Sequence, residues 1–137
     1  MLPLRILLVE DAPPVLQDLR AALDNSSGFE VCCATSCPAG MLTLARRQPD
    51  LLVLNPYAGR GTVEAWRRAV RRFRASRQLS VIALARRVSS RDRAGLRELA
   101  DLGIYSPRTE AWRIQAVLEG WANSEKLLAG AACDEGR

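Results

Sequence analysis

Glu10 and Asp11 stand side by side directly after the apolar run "RILLV" (5–9). Adjacent carboxylates at such a point could hold a hard divalent cation such as magnesium through oxygen. Each also has a plainer job open to it. Asp11 could satisfy the free amides of a helix starting near Pro13, and Glu10 could be a solvated loop acid. A third position of interest is Asn55, the last residue of "LLVLN" before the glycine-bearing loop "PYAGRG". A carboxamide there can order the loop by hydrogen bonds, but it is a poor nucleophile. The chain contains no histidine, which removes the commonest acid–base group and metal ligand near neutral pH. It has no phosphate-binding glycine loop and no nucleophile elbow. No enzymatic activity and no cofactor are expected from it.

The four cysteines, Cys32, Cys33, Cys37 and Cys133, follow neither a paired zinc pattern nor a redox pair. They read as small hydrophobes. The net charge is +5, and Lys126 is the only lysine among 20 basic residues. Arg67, Arg68, Arg71, Arg72, Arg74 and Arg77 make a dense strip, continued by Arg86, Arg87, Arg91, Arg93 and Arg97. Such a surface suits phosphate or acidic protein groups. Direct nucleic-acid binding is therefore the alternative function, although no recognition motif or stacking array accompanies the arginines. No run approaches the roughly 20 apolar residues of a membrane span. The N-terminus lacks the pattern of a secretory signal, so a cytoplasmic protein with no membrane partner is the default.

Apolar runs alternate with helical patterns five times. "RILLV", "EVCCA" (30–34), "LLVL" (51–54), "LSVIALA" (79–85) and "GIY" (103–105) read as strands. Three of them are apolar throughout, as strands covered on both faces are. Pro13 and Pro14 open a first helix with the face Val15, Leu16, Leu19, Ala22 and Leu23, and Pro38 opens a second ending near Gln48. Trp66, Ala69, Val70 and Phe73 mark the third. Ser89 or Ser90 caps the fourth, which buries Leu96, Leu99 and Ala100. The fifth follows Pro107 and Thr109 and buries Ile114, Val117, Leu118 and Trp121. Five βα units with short connections predict one α/β domain, a parallel sheet with helices on both faces. It spans about 1–128, with 129–137 as a tail or the start of a linker.

On "ILLVED" and "RRQPDLLVLN", in this order and spacing, the chain resembles the receiver domains of two-component response regulators over about residues 4–128. The resemblance implies a flavodoxin-like, doubly wound sheet of order 2-1-3-4-5 with its site at the C-terminal strand ends. It also implies five roles in phosphoryl transfer. Glu10 and Asp11 match the magnesium-holding acids. Asn55 matches the phosphoacceptor aspartate, Ala85 the hydroxyl residue of the fourth strand, and Ser106 the lysine before a proline.

Three of those five roles are lost, and Asn55 alone removes the acyl phosphate. The loop after Asn55 is also shorter than usual, by about two residues. The resemblance thus implies a phosphorylation-independent pseudo-receiver acting through protein contacts. Any magnesium binding at Glu10 and Asp11 should be weak. An arginine, Arg86 first and Arg60 or Arg108 otherwise, is expected to reach the acid pair as its counter-ion. Family receivers meet partners or dimerise through helix 4, strand 5 and helix 5. There Tyr105 and Trp112 are candidate interface residues, Trp112 lying about 160° from Ile114 around the fifth helix.

Overall fold

The computed structural model describes residues 3–24, 28–107 and 111–135; Arg108 and the side chain of Cys133 lie outside them. The elements alternate as expected: β1 (Leu4–Val9), α1 (Pro13–Asp24), β2 (Phe29–Ala34), α2 (Cys37–Arg47), β3 (Leu51–Leu54), a 3₁₀ turn (Ala58–Arg60), α3 (Val63–Arg74), β4 (Ser80–Leu84), α4 (Ser90–Leu99), β5 (Ile104–Tyr105) and α5 (Ala111–Glu135). All pairings are parallel and the sheet order is β2-β1-β3-β4-β5.

Alternation along the strands divides the core into two layers, because successive side chains point to opposite faces. Leu7, Val9, Leu52, Leu54, Val81 and Ala83 pack with Leu44, Val63, Trp66, Val70, Leu96 and Leu99. On the other face, Ile6, Leu8, Val53, Ile82 and Leu84 pack with Leu19, Leu23, Ile114, Leu118 and Trp121. The indole N–H of Trp121 donates to Ser80 Oγ at 3.1 Å, which pins α5 to the start of β4.

Helix starts follow local side-chain chemistry. Ser36 Oγ accepts from Ala39 N, Thr62 Oγ1 from Ala65 N, and Ser89 Oγ from Asp92 N. Ser89, not Ser90, is thus the cap of α4, and each such cap is worth about 1 kcal/mol. Cys32 and Cys33 are half-buried and Cys37 buried, all three as free thiols. Burial raises the Cys33 thiol, and Arg20, whose Nη1 donates to its Sγ at 3.3 Å, works against that rise.

Helix α5 continues through 129–135, the stretch read as a tail or the start of a linker. The run "AGAACDE" carries three alanines, and alanine is the strongest helix former.

Candidate functional site

Register brings the chemistry together. Val9 pairs with Leu54, and Leu54 with Ala83, so the residues following these strands emerge on one edge of the sheet. Asn55 N donates to Val9 O at 2.9 Å, and Ala85 N donates to Tyr105 O at 2.9 Å. A cleft of about 790 Å³ opens above them, lined by Glu10, Asp11, Ala12, Val15, Asn55, Tyr57, Arg86, Arg87, Ser106 and Pro107. Of the five positions expected to share a pocket, Glu10, Asp11, Asn55 and Ser106 line this cleft. Ala85 is buried beneath it in the core.

Glu10 is not the solvated loop acid that the sequence allowed: it is 1% exposed. Its Oε1 accepts three hydrogen bonds at 3.1 Å, from Asp11 N, Ala12 N and Asn55 Nδ2. Glu10 thus holds the two amides just ahead of α1. Asp11 instead turns outward, and its Oδ2 accepts from Gly59 N at 3.0 Å. The second oxygen of Glu10, Oε2, is buried with no hydrogen-bond partner among the described residues. A buried acceptor left so costs about 1–3 kcal/mol.

Asn55 is the junction of the site. Its Nδ2 reaches Glu10, and its Oδ1 accepts from Tyr57 N at 3.0 Å. A backbone N–H can only donate, so Tyr57 fixes which end of the amide is oxygen and turns the donor end toward the acid. Tyr57 then continues the chain of contacts. Its hydroxyl donates to Asp92 Oδ2 at 2.8 Å, in the first turn of α4. Burial, with Asp92 second, pushes the Tyr57 phenol up to about 12. The tyrosine was overlooked in the sequence; an aromatic two residues past the key strand end was the available signal.

The loop after β3 folds back on the β2–α2 connection. Gly59 has φ +49°, and a Cβ there would stand 2.3 Å from Ser36 Cα, so the position requires glycine. Arg60 follows with φ +65°. That left-handed turn delivers Gly59 N to Asp11.

Of the three arginines expected as counter-ions, Arg86 and Arg60 do not pair with the acids. Arg86 lines the cleft but is exposed, and Arg60 is exposed on the loop. Among the described residues, neither forms an ion pair within 4 Å of Glu10 or Asp11. Two backbone amides and the Asn55 carboxamide already occupy Glu10 Oε1, while the side chains of Arg86 and Arg60 stay in solvent, where a guanidinium keeps its hydration. Arg108, the third candidate, lies outside the described residues.

Magnesium is implied by the family resemblance, and the residues present do not suit it. Two carboxylates meet here, but no group of three His, Cys, Asp or Glu side chains able to hold a metal occurs among the described residues. Asn55, at the third position, presents its N–H end to the acid, where a ligand oxygen would be needed.

The arginine strip is divided. Arg67 bridges Glu64 and Glu98, Arg68 pairs with Glu64, Arg71 with Glu98 and Arg74 with Asp101. Arg86, Arg87, Arg91, Arg93 and Arg97 are exposed and have no ion-pair partner among the described residues. Trp112 is 60% exposed, with the Arg113 guanidinium 5.5 Å from its ring centroid. Tyr105 is half-buried against the α1/α5 layer. No helix among the described residues is long and apolar enough to cross a membrane.

No protein-family model matches the chain, and no curated protein matches it. Solved structures do. The N-terminal domain of a protein from Wolinella succinogenes is 20% identical with a TM-score of 0.77, the match covering 92% of this chain and 98% of that one. The signal receiver domain of a protein described as a LuxO repressor, from Vibrio parahaemolyticus, is 18% identical with a TM-score of 0.76, covering 93% and 98%. A response regulator receiver domain protein from Clostridium thermocellum is 19% identical with a TM-score of 0.72, covering 91% and 98%. With its five parallel strands in the order 2-1-3-4-5, the chain has the fold of a response-regulator receiver domain.

Proposed function

We propose that this chain is a receiver-type signalling domain of a two-component-type regulatory system that works without phosphoryl transfer, through contacts with protein partners. The observation that carries the reading is the Asn55 amide, both of whose ends are committed to Glu10 and Tyr57. A neutral carboxamide is a poor nucleophile and forms no acyl phosphate. Buried Ala85 has no hydroxyl to offer a phosphoryl group, and Ser106 brings no charge. The Glu10–Asn55–Tyr57–Asp92 series links β1 to α4 by hydrogen bonds that involve no phosphoryl group.

The partner surface in this reading is the face of α4, β5 and α5, with Trp112 as the aromatic anchor and Tyr105 beside it; dimerisation or docking would use it. A cytoplasmic location belongs to the same reading, and the free thiols Cys32, Cys33 and Cys37 agree with a reducing compartment. The test is incubation with acetyl phosphate and magnesium, read by intact mass. The expected result is no adduct. A stoichiometric, hydroxylamine-labile phosphoryl adduct would reject the reading.

A second reading, nucleic-acid binding, draws on the five exposed arginines of 86–97, which have no ion-pair partner among the described residues. Against it, Arg67, Arg68, Arg71 and Arg74 of α3 spend their charge on neighbouring acids. A salt-dependent gel shift would promote it, because phosphate contacts release counter-ions. No shift at low salt would eliminate it.

A further inference from the structure

We propose that the cleft binds a small zwitterion, its ammonium on Glu10 Oε2 and its carboxylate or phosphate on Arg86 and Arg87. Glu10 lines the cleft at 1% exposure. Among the described residues, the three donors to this carboxylate converge on Oε1, and Oε2 receives none. An ammonium is a compact group of three donors without an acceptor, which is the complement of that oxygen. Asp11 stands beside it, with only Gly59 N as its protein partner among the described residues.

The same cleft carries the opposite charge. Arg86 and Arg87 line it, both exposed and both without a carboxylate within 4 Å among the described residues. Planar guanidinium forks match carboxylate and phosphate oxygens in paired hydrogen bonds. A bare anion meets the two acids, and a bare cation meets the two guanidinium groups and the Asn55 N–H. A molecule with both charges gains at both ends. Val15 and Pro107 supply apolar wall for a short carbon spacer. A volume of about 790 Å³ is within the range of small-molecule sites. This goes beyond the signalling reading, which assigns the cleft no ligand.

Amide NMR spectra of the full chain, titrated with glycine, β-alanine and phosphoethanolamine, test the proposal. At least one of the three should give saturable shifts at Asp11, Ala12, Asn55 and Arg86, with a Kd of about 1 mM or below. Ethanolamine, inorganic phosphate and magnesium chloride, each alone, should bind at least about tenfold more weakly. Glu10→Gln turns an amide donor or a weaker acceptor toward the ammonium and should weaken binding by a similar factor. If that variant does not fold, the double substitution Arg86→Ser and Arg87→Ser, at exposed positions, tests the other end. Phosphate or magnesium alone binding as tightly as the best zwitterion overturns the proposal. So does undiminished binding after loss of both arginines, or no saturable shift with any of the three zwitterions up to about 50 mM, beyond the range of a useful site.

Discussion

The hydroxyl of Tyr57 lies 2.8 Å from Asp92 Oδ2, so the loop that follows β3 is tied directly to the first turn of α4. Through Asn55 the same loop is tied to Glu10 at the end of β1. Movement of α4 away from this loop therefore requires that the Tyr57 bond break.

Tyr57→Phe should cost about 0.5–1.5 kcal/mol, the usual net worth of one hydrogen bond, and at 37% exposure the lower end is expected. Its pH dependence has a definite sign. The phenol sits at about 12 in the folded chain against 10.0 ordinarily, so the fold favours the protonated form. That contribution is complete below pH 10 and is lost as pH rises from 10 toward 12. Urea melts of wild type and Tyr57→Phe should converge over that interval; a constant difference would remove the Tyr57–Asp92 bond as its source.

Asn55→Asp should not restore ordinary phosphorylation, because the deficits at Ala85 and Ser106 persist. It places a second carboxylate about 3.1 Å from Glu10 Oε1, where an amide donor stood. Like charges so close, with a hydrogen bond removed, should destabilise the fold by about 1–3 kcal/mol at neutral pH. With three acids assembled, magnesium should then raise the Tm of the variant by several degrees and leave wild type nearly unmoved, as ligand linkage requires. Equal magnesium responses, or rapid phosphorylation of the single variant by acetyl phosphate, would contradict this account of the pocket.

Gly59→Ala should destabilise by about 1–3 kcal/mol, since it adds a Cβ against Ser36 Cα and holds an L-residue at φ +49°. The loop that presents Gly59 N to Asp11 should loosen with it. Hydrogen exchange at Gly59 and Gly61 would rise, and unchanged protection would show that the loop tolerates the side chain.

Trp112→Ala should leave folding within about 0.5 kcal/mol, as exposed substitutions usually do. It should weaken self-association or docking by about 2 kcal/mol, roughly thirtyfold. Sedimentation across the working concentration range reads the self-association directly. An unchanged dimer, or a monomer throughout, would remove Trp112 as a self-association anchor.

The five alternations, the two-sided burial of β1, β3 and β4 and the sheet order were all legible in the chain. Each rests on local periodicity, or on a motif whose order along the chain survives without its chemistry. Asn55 as a hydrogen-bonding residue of the pocket was legible for the same reason, since its side-chain type rules out nucleophilic work. Even the exposure of Trp112 followed from its angle to Ile114. What the sequence could not decide was which groups meet across elements.

Glu10 was open to reading as a solvated acid because nothing within its own segment says that it turns inward. Its burial follows from the register of β1 against β3, which sets the Asn55 amide beside it. Arg86 comes to the same cleft but stays exposed at its rim, with no carboxylate within 4 Å among the described residues. The Tyr57–Asp92 bond joins residues 35 apart in sequence. It depends on the loop after β3, where Asn55 Oδ1 holds Tyr57 N, and on Ser89, which starts α4 and so sets Asp92 in its first turn. Partner choice among charged and polar side chains is settled by distance and competition in three dimensions, and neither is written in the spacing of residues along the chain.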